Sequence, residues 1–89
     1  MSKWEIIFTE IAQQDLLKIT KATRKRIINK LEWLEDNFDE VTPLTLSNEW
    51  GGFYKLRVGD YRIIYSIEWE NQIITIEAMD HRSKIYKRK

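Results

Sequence analysis

Phe53-Tyr54-Lys55-Leu56-Arg57-Val58-Gly59-Asp60-Tyr61-Arg62-Ile63-Ile64-Tyr65-Ser66-Ile67-Glu68 reads as two strands joined by a turn at Gly59-Asp60. Glycine at the first central position suits a two-residue type II′ hairpin. Side chains alternate between the faces of a strand. Tyr54, Leu56 and Val58 therefore share one face, and Phe53, Lys55 and Arg57 share the other. In the returning strand, Tyr61, Ile63, Tyr65 and Ile67 lie opposite Arg62, Ile64 and Ser66. With Gly59 and Asp60 as the turn, Val58 faces Tyr61 and Arg57 faces Arg62. Both apolar sets then meet one core, while Arg57 and Arg62 are direct neighbours with Lys55 two positions along. Like charges placed opposite each other destabilise a sheet. Carboxylates at Glu49, Glu68 or Glu77 are the available relief; without them the trio is an anion site on a rigid hairpin.

Working outward, Trp69 to Asn71 makes a turn and Gln72 to Met79 a last long strand. At the other end, Lys3 to Phe8 is a short strand rich in large and β-branched residues. Thr9 offers an N-cap, Glu10 suits the first turn, and Ala12, Leu16 and Ile19 share a face, which predicts a helix over 10–20. Ile27, Leu31, Leu34 and Phe38 form a single apolar stripe, predicting a second helix capped at Thr20 or Thr23 and fading near Asn37. Residues 39–51, with Pro43, Gly51 and Gly52, read as a connecting loop. The order is β-α-α-β-β-β: an α+β domain with two helices packed on one face of a small, mostly antiparallel sheet. The other face of that sheet is expected to be open.

Length and composition set the bounds. Eighty-nine residues make one domain, 1–89, with room for one modest core. The chain has no cysteine and one histidine, which excludes disulfides and thiolate metal sites and leaves no convincing metal-ligand set. No apolar run approaches the roughly 20 residues needed to span a bilayer, and no signal-peptide core opens the chain, so the expectation is a cytoplasmic protein with no membrane contact. The net charge is +1, but it is unevenly spread. Residues 1–50 hold seven basic and nine acidic side chains, and residues 51–89 hold eight and five. A basic tail over about 82–89 carries Arg82, Lys84, Lys87, Arg88 and Lys89. In the second helix, Arg24, Lys25, Arg26 and Lys30 precede Glu32, Glu35 and Asp36, a polarity that opposes the helix dipole and reads as a solvated face. Trp4, Trp33, Trp50 and Trp69 are assigned to core or rim, with Trp50 a candidate for base stacking.

The segment from Gly52 to Tyr65, with Leu56-Arg57-Val58-Gly59-Asp60-Tyr61-Arg62-Ile63 at its centre, is followed by Asp80-His81-Arg82-Ser83-Lys84-Ile85-Tyr86. Together these resemble the RelE/ParE superfamily of bacterial toxins, and the element order and length match it across nearly the whole chain. RelE-like members are ribosome-dependent endoribonucleases that cut mRNA in the A site without a metal. ParE-like members share the fold and poison DNA gyrase. The resemblance matches Lys55, Arg57 and Arg62 to the basic residues of the RelE-type active site, His81 or Arg82 to a further cationic position, and Tyr86 to a C-terminal tyrosine. One branch, the YoeB-like toxins, places a Glu before the Pro-Leu of the loop, where this chain has Thr42.

The chemistry implied is attack of a 2′-hydroxyl on the adjacent phosphorus. It requires a base, positive charge for the phosphorane, and an acid for the leaving 5′-oxygen. Arg57 and Arg62 supply two guanidinium forks. Lys55 is a candidate for base or electrostatic support, and the His81 imidazole is a candidate proton donor or acceptor. Tyr86 can stack on a base or donate a proton. Lys84, Lys87, Arg88 and Lys89 are the expected contacts to RNA phosphates. No cofactor is implied. The implied partners are a cognate antitoxin, the 70S ribosome and mRNA, with DNA reached only through the antitoxin. An exposed cationic groove and an open sheet edge suit an acidic, partly disordered antitoxin that adds a strand or helix. The rival readings are a ParE-like gyrase poison and a non-catalytic, antitoxin-binding relic.

Overall fold

The computed structural model of the chain describes residues 3–46 and 50–88. β1 (Glu5–Phe8) leads into α1 (Glu10–Leu17) and α2 (Lys21–Asn37). β2 (Leu44–Thr45), β3 (Tyr54–Val58), β4 (Tyr61–Glu68) and β5 (Ile73–His81) follow. The five strands form one sheet in the order β1-β5-β4-β3-β2. The β1–β5 pair is parallel and every other pair is antiparallel. The expected α+β class is what the chain adopts. Among the described residues no helix is long and apolar enough to cross a membrane.

Local chemistry explains the helix ends. Thr9 caps α1 as its spacing predicts: its Oγ1 accepts from the Ala12 N–H at 3.1 Å and donates to the Glu77 carbonyl at 3.0 Å. One hydroxyl thus ties the start of α1 to β5. α1 ends at Leu17, three residues earlier than its apolar face suggests, because Lys18 N–H closes a tight turn onto the Asp15 carbonyl. Arg24 Nη2 then donates to the Ile19 carbonyl at 2.9 Å, satisfying an acceptor at that junction. Thr20 stands at the N-cap of α2, but its side chain makes no capping bond.

Ile27, Leu31, Leu34 and Phe38 are all buried and pack on Ile63, Tyr65, Ile74, Ile76 and Met79 from the sheet. Trp4 closes one end of this core, edge-on to Phe38 at 4.6 Å, with its indole N–H donating to Asp39 Oδ1 at 2.8 Å.

Two expectations are corrected. Residues 39–51 are not all loop. A 3₁₀ turn covers Phe38–Glu40, and Leu44–Thr45 pairs with Lys55 and Tyr54. Leu44-Thr45-Leu46 alternates, but the run is too short and too close to Pro43 to read as a strand; the free edge of β3 supplies the pairing. Nor is the second face of the sheet open. Ile64, Ala78 and Ile85 form a separate buried cluster, joined by Leu46, Trp50 and Phe53. The chain end folds across through a 3₁₀ turn at Ile85–Lys87 and inserts Ile85, which is fully buried.

Large-to-small changes in a packed core cost about 2–5 kcal/mol. Ile63→Ala should therefore lower unfolding free energy in urea by that amount, whereas Ile11→Ala, at 59% exposure, should stay within about 0.5 kcal/mol. Tyr65 adds an alkaline signature. Burial, and secondarily the neighbouring Tyr54, push its phenol up to about 12 from an ordinary 10.0. The folded state keeps its proton where the unfolded state loses it. The associated stability is intact below pH 10 and is lost as pH rises toward 12, by about 2–3 kcal/mol. Unfolding of the Tyr65→Phe variant should lack that component.

Candidate functional site

The hairpin builds the site. Gly59 has φ +58° and Asp60 is not left-handed, the pattern a type II′ turn requires. The register is Val58 with Tyr61 and Arg57 with Arg62, as the turn predicts. Arg57 and Arg62 are direct cross-strand partners, and Lys55 lies on the same face opposite Ile64.

Among the described residues no carboxylate pairs with any of the three. Glu77 is engaged by Ser66 Oγ at 2.7 Å, and Glu68 by the Asn71 amide at 3.0 Å. Glu49 lies outside the described residues. Arg62 is half folded back: its Nη1 donates to the carbonyls of Gly59 at 2.9 Å and Tyr61 at 3.0 Å. The turn thus holds this guanidinium in place while Nε and Nη2 stay available. Exposed Arg57 makes no such bond.

The tail reaches the same turn. Arg82 N–H donates to the Asp60 carbonyl at 2.7 Å, and Arg82 Nε stands 3.8 Å from Asp60 Oδ1. Three residues on, Ile85 plugs the second-face cluster, so Tyr86 rides on a turn anchored to the cationic face, 41% exposed. Lys55, Arg57 and Arg62 share that face by register, Arg82 adjoins its turn at Asp60, and Tyr86 follows the residue that packs on the face's apolar cluster.

His81 is elsewhere. Its ring meets Tyr61 edge-on at 5.7 Å, on the helix-bearing side of the sheet. The cause is a register shift between Ile64 and Tyr65, where Ile64 pairs with Ala78 but Tyr65 pairs with Ile76. Glu77 is the extra residue. Uninterrupted alternation from Ile74 and Ile76 would place His81 with Arg62; the bulge sends His81 to the other face and brings Asp80 opposite Arg62. Ser83 N–H donates to His81 Nδ1 at 3.2 Å, which selects the tautomer with its proton on Nε2.

On the helix side His81, Lys84 and Arg88 border an open cleft of about 710 Å³ with Asp15, Lys18 and Tyr61. An ion-pair strap crosses it. Arg88 Nη2 donates to Asp15 Oδ2 at 3.0 Å and Nη1 to Asp80 Oδ2 at 3.2 Å. The same Asp15 oxygen accepts Met79 N–H at 3.0 Å. Burial lowers the pKa of the Arg88 guanidinium, but hydrogen bonds and charge from Asp15, then Asp80, outweigh it and hold the group above its ordinary value. Arg88 is thus structurally committed. The strap also occupies Asp80, the carboxylate that register places beside Arg62, whose other oxygen accepts His81 N–H at 2.8 Å. Lys84 borders the cleft, Lys87 is exposed, and Lys89 lies outside the described residues.

Asp15 was not among the residues the sequence singles out. Its signal is its position, a carboxylate three residues after Ala12 on the apolar face of α1. Breaking the strap should loosen only the chain end. In Arg88→Met, amide hydrogen exchange over 82–88 should rise at least tenfold while β4 stays protected.

The opposed arginines thus sit on a hairpin of a five-stranded sheet backed by two helices. Residues 6–86 match the family described as ParE toxin of the type II toxin–antitoxin system parDE, and the chain belongs to that family. It is 30% identical to toxin RelG of Mycobacterium tuberculosis over 91 residues, covering 96% of this chain and 98% of RelG. Among solved structures, the RelBE2 toxin–antitoxin complex of Mycobacterium tuberculosis superposes with a TM-score of 0.78 at 28% identity, covering 89% of this chain and 98% of that one. The isolated Escherichia coli RelE toxin shares the fold, with a TM-score of 0.73 at 18% identity over 94% of this chain and 92% of RelE.

Proposed function

We propose that this toxin is a ribosome-dependent endoribonuclease that cleaves mRNA in the A site by attack of a 2′-hydroxyl, without a metal, in the cytoplasm. The observation that carries the reading is the Arg57–Arg62 register pair, two arginines set directly opposite each other beside a tight turn, neither of which has a carboxylate partner among the described residues. Opposed arginines cost stability in the free protein. A dianionic phosphorane between them turns that repulsion into attraction, and the attraction is greatest where charge is greatest, in the transition state. Lys55 extends the positive field along the face. Arg82 covers the leaving side from the tail, and Tyr86 serves as base-stacking platform or proton donor. Placed on the opposite side of the sheet, His81 supports the tail through Ser83 in place of handling the reacting atoms. Lys84, Lys87 and Lys89 remain the tail contacts to phosphate.

Arg57→Ala and Arg62→Ala should each lower the cleavage rate on translating ribosomes at least 100-fold, read by primer extension of mRNA ends. Lysine at either position should rescue poorly, because it lacks the planar fork. Intact message with both wild type and variants would end this reading. Arg88→Met should lower the rate several-fold by releasing Asp80 toward Arg62, and adding Asp80→Asn should restore most of it.

Membership of the ParE toxin family favours a second reading, in which the toxin poisons DNA gyrase as the resemblance to ParE-like members implies. Protein-linked DNA breaks formed by purified gyrase in the presence of the toxin would establish it. In either reading the toxin has a cognate antitoxin, as RelE has RelB in the solved complex from Pyrococcus horikoshii, which is 25% identical with a TM-score of 0.69. An acidic, partly disordered antitoxin segment covering the cationic face should bind more weakly as salt rises.

A further inference from the structure

α2 carries Arg26, Asn29, Lys30 and Trp33 along one stripe, and the structure sets that stripe beside the hairpin. With Arg57, Val58 and Gly59 these residues line an open groove of about 550 Å³. Each wall offers something a nucleic acid uses. Trp33 is 46% exposed, and Lys30 Nζ lies 4.0 Å from its centroid. Arg26 rests its guanidinium on the turn: a Cβ at Gly59 would stand 3.1 Å from Arg26 Nη2. Among the described residues no carboxylate pairs with Arg26, Lys30 or Arg57. The dipole-opposing charge of this helix, costly as a merely solvated face, lies where it can serve the hairpin.

We propose that this groove is a track for single-stranded RNA, leading away from the scissile phosphate. The inference rests on the nuclease reading above and extends it. Arg57 belongs to both sites, so a strand held between Arg57 and Arg62 has its next phosphates beside Arg26 and Lys30, and a base within reach of Trp33. Stacking on an indole is tolerant of sequence and suits a toxin that must hold many messages. Lys30, which covers the ring in the free protein, exchanges that contact for a phosphate as the base stacks. An acidic peptide would satisfy the cations, but it offers a flat partner to Trp33 only where it happens to place an aromatic side chain, whereas every nucleotide brings one.

The test separates the groove from the chemistry. The probe is a short, labelled 2′-O-methyl RNA, which has no free 2′-hydroxyl to react, titrated into the folded toxin and read by fluorescence anisotropy. Trp33→Ala should weaken binding about tenfold, with Trp33→Phe retaining most of the affinity. The Arg26→Gln/Lys30→Gln pair should weaken it similarly and lower the salt dependence by about two phosphate contacts. These positions are exposed or half-buried, and unchanged melting temperatures would verify that the variants fold. On translating ribosomes the same variants should need more toxin for half-maximal cleavage while reaching the wild-type limiting rate, unlike Arg62→Ala. Unchanged anisotropy and unchanged half-maximal concentration in all variants would overturn the track. So would a poly-glutamate peptide of equal charge that binds as tightly as the RNA and is equally weakened by Trp33→Ala. A wild-type toxin that binds the RNA through Trp33 yet cuts no message would overturn the nuclease reading and leave the groove standing.

Discussion

Everything in this molecule depends on the two-residue turn at Gly59 and Asp60, because the turn sets the phase of β3 against β4. A slip of one residue would send Val58, Ile63 and Tyr65 to the wrong face and expose the core. The burial of Ile63 and Tyr65 therefore enforces the same register that confronts Arg57 with Arg62. Hydrophobic packing on one face of the sheet holds charges together on the other, against their mutual repulsion. The turn carbonyl of Gly59 then takes one nitrogen of Arg62, and the Asp60 carbonyl takes the Arg82 amide. A single tight turn thus organises strand register, guanidinium orientation and the path of the chain end.

The second organising device is the bulge at Glu77. Without the extra residue, Met79 could not return to the core beside Ile74 and Ile76, and Thr9 would lose its acceptor on β5. The bulge also brings Asp80 opposite Arg62, which would neutralise the site. Arg88 prevents this by holding Asp80 and Asp15 together, so the strap is electrostatic housekeeping for the cationic face as well as an anchor for the tail.

How much of this the sequence reveals follows from the range of each interaction. The hairpin register is legible because Gly59-Asp60 and the alternation on either side lie within a few residues. The stripe Ile27, Leu31, Leu34, Phe38 is legible because helical periodicity is local. β2 is not, since its two residues are strand only by virtue of β3. The covered second face escapes notice because Ile85 sits in a basic tail that reads as solvated. The strap joins residues 73 apart in sequence, and no periodic pattern reports that. His81 is the instructive case. Its proximity in sequence to Arg82 and Tyr86 groups it with them, and one bulged residue places its ring on the opposite side of the sheet.

The edges of the sheet have a colloidal consequence. The outward N–H of Ile6 in β1 donates to Glu35 Oε2 at 2.9 Å, so a carboxylate from α2 occupies a rung where another strand would dock. At the far side β2 is only two residues long, too short to template a ladder. A small, nearly neutral protein at high concentration is prone to associate through sheet edges, and here one end is plugged and the other truncated. Any partner that extends the sheet at β1 must first displace Glu35, so the toxin remains a poor seed for its own aggregation and selects for a partner able to displace that bond.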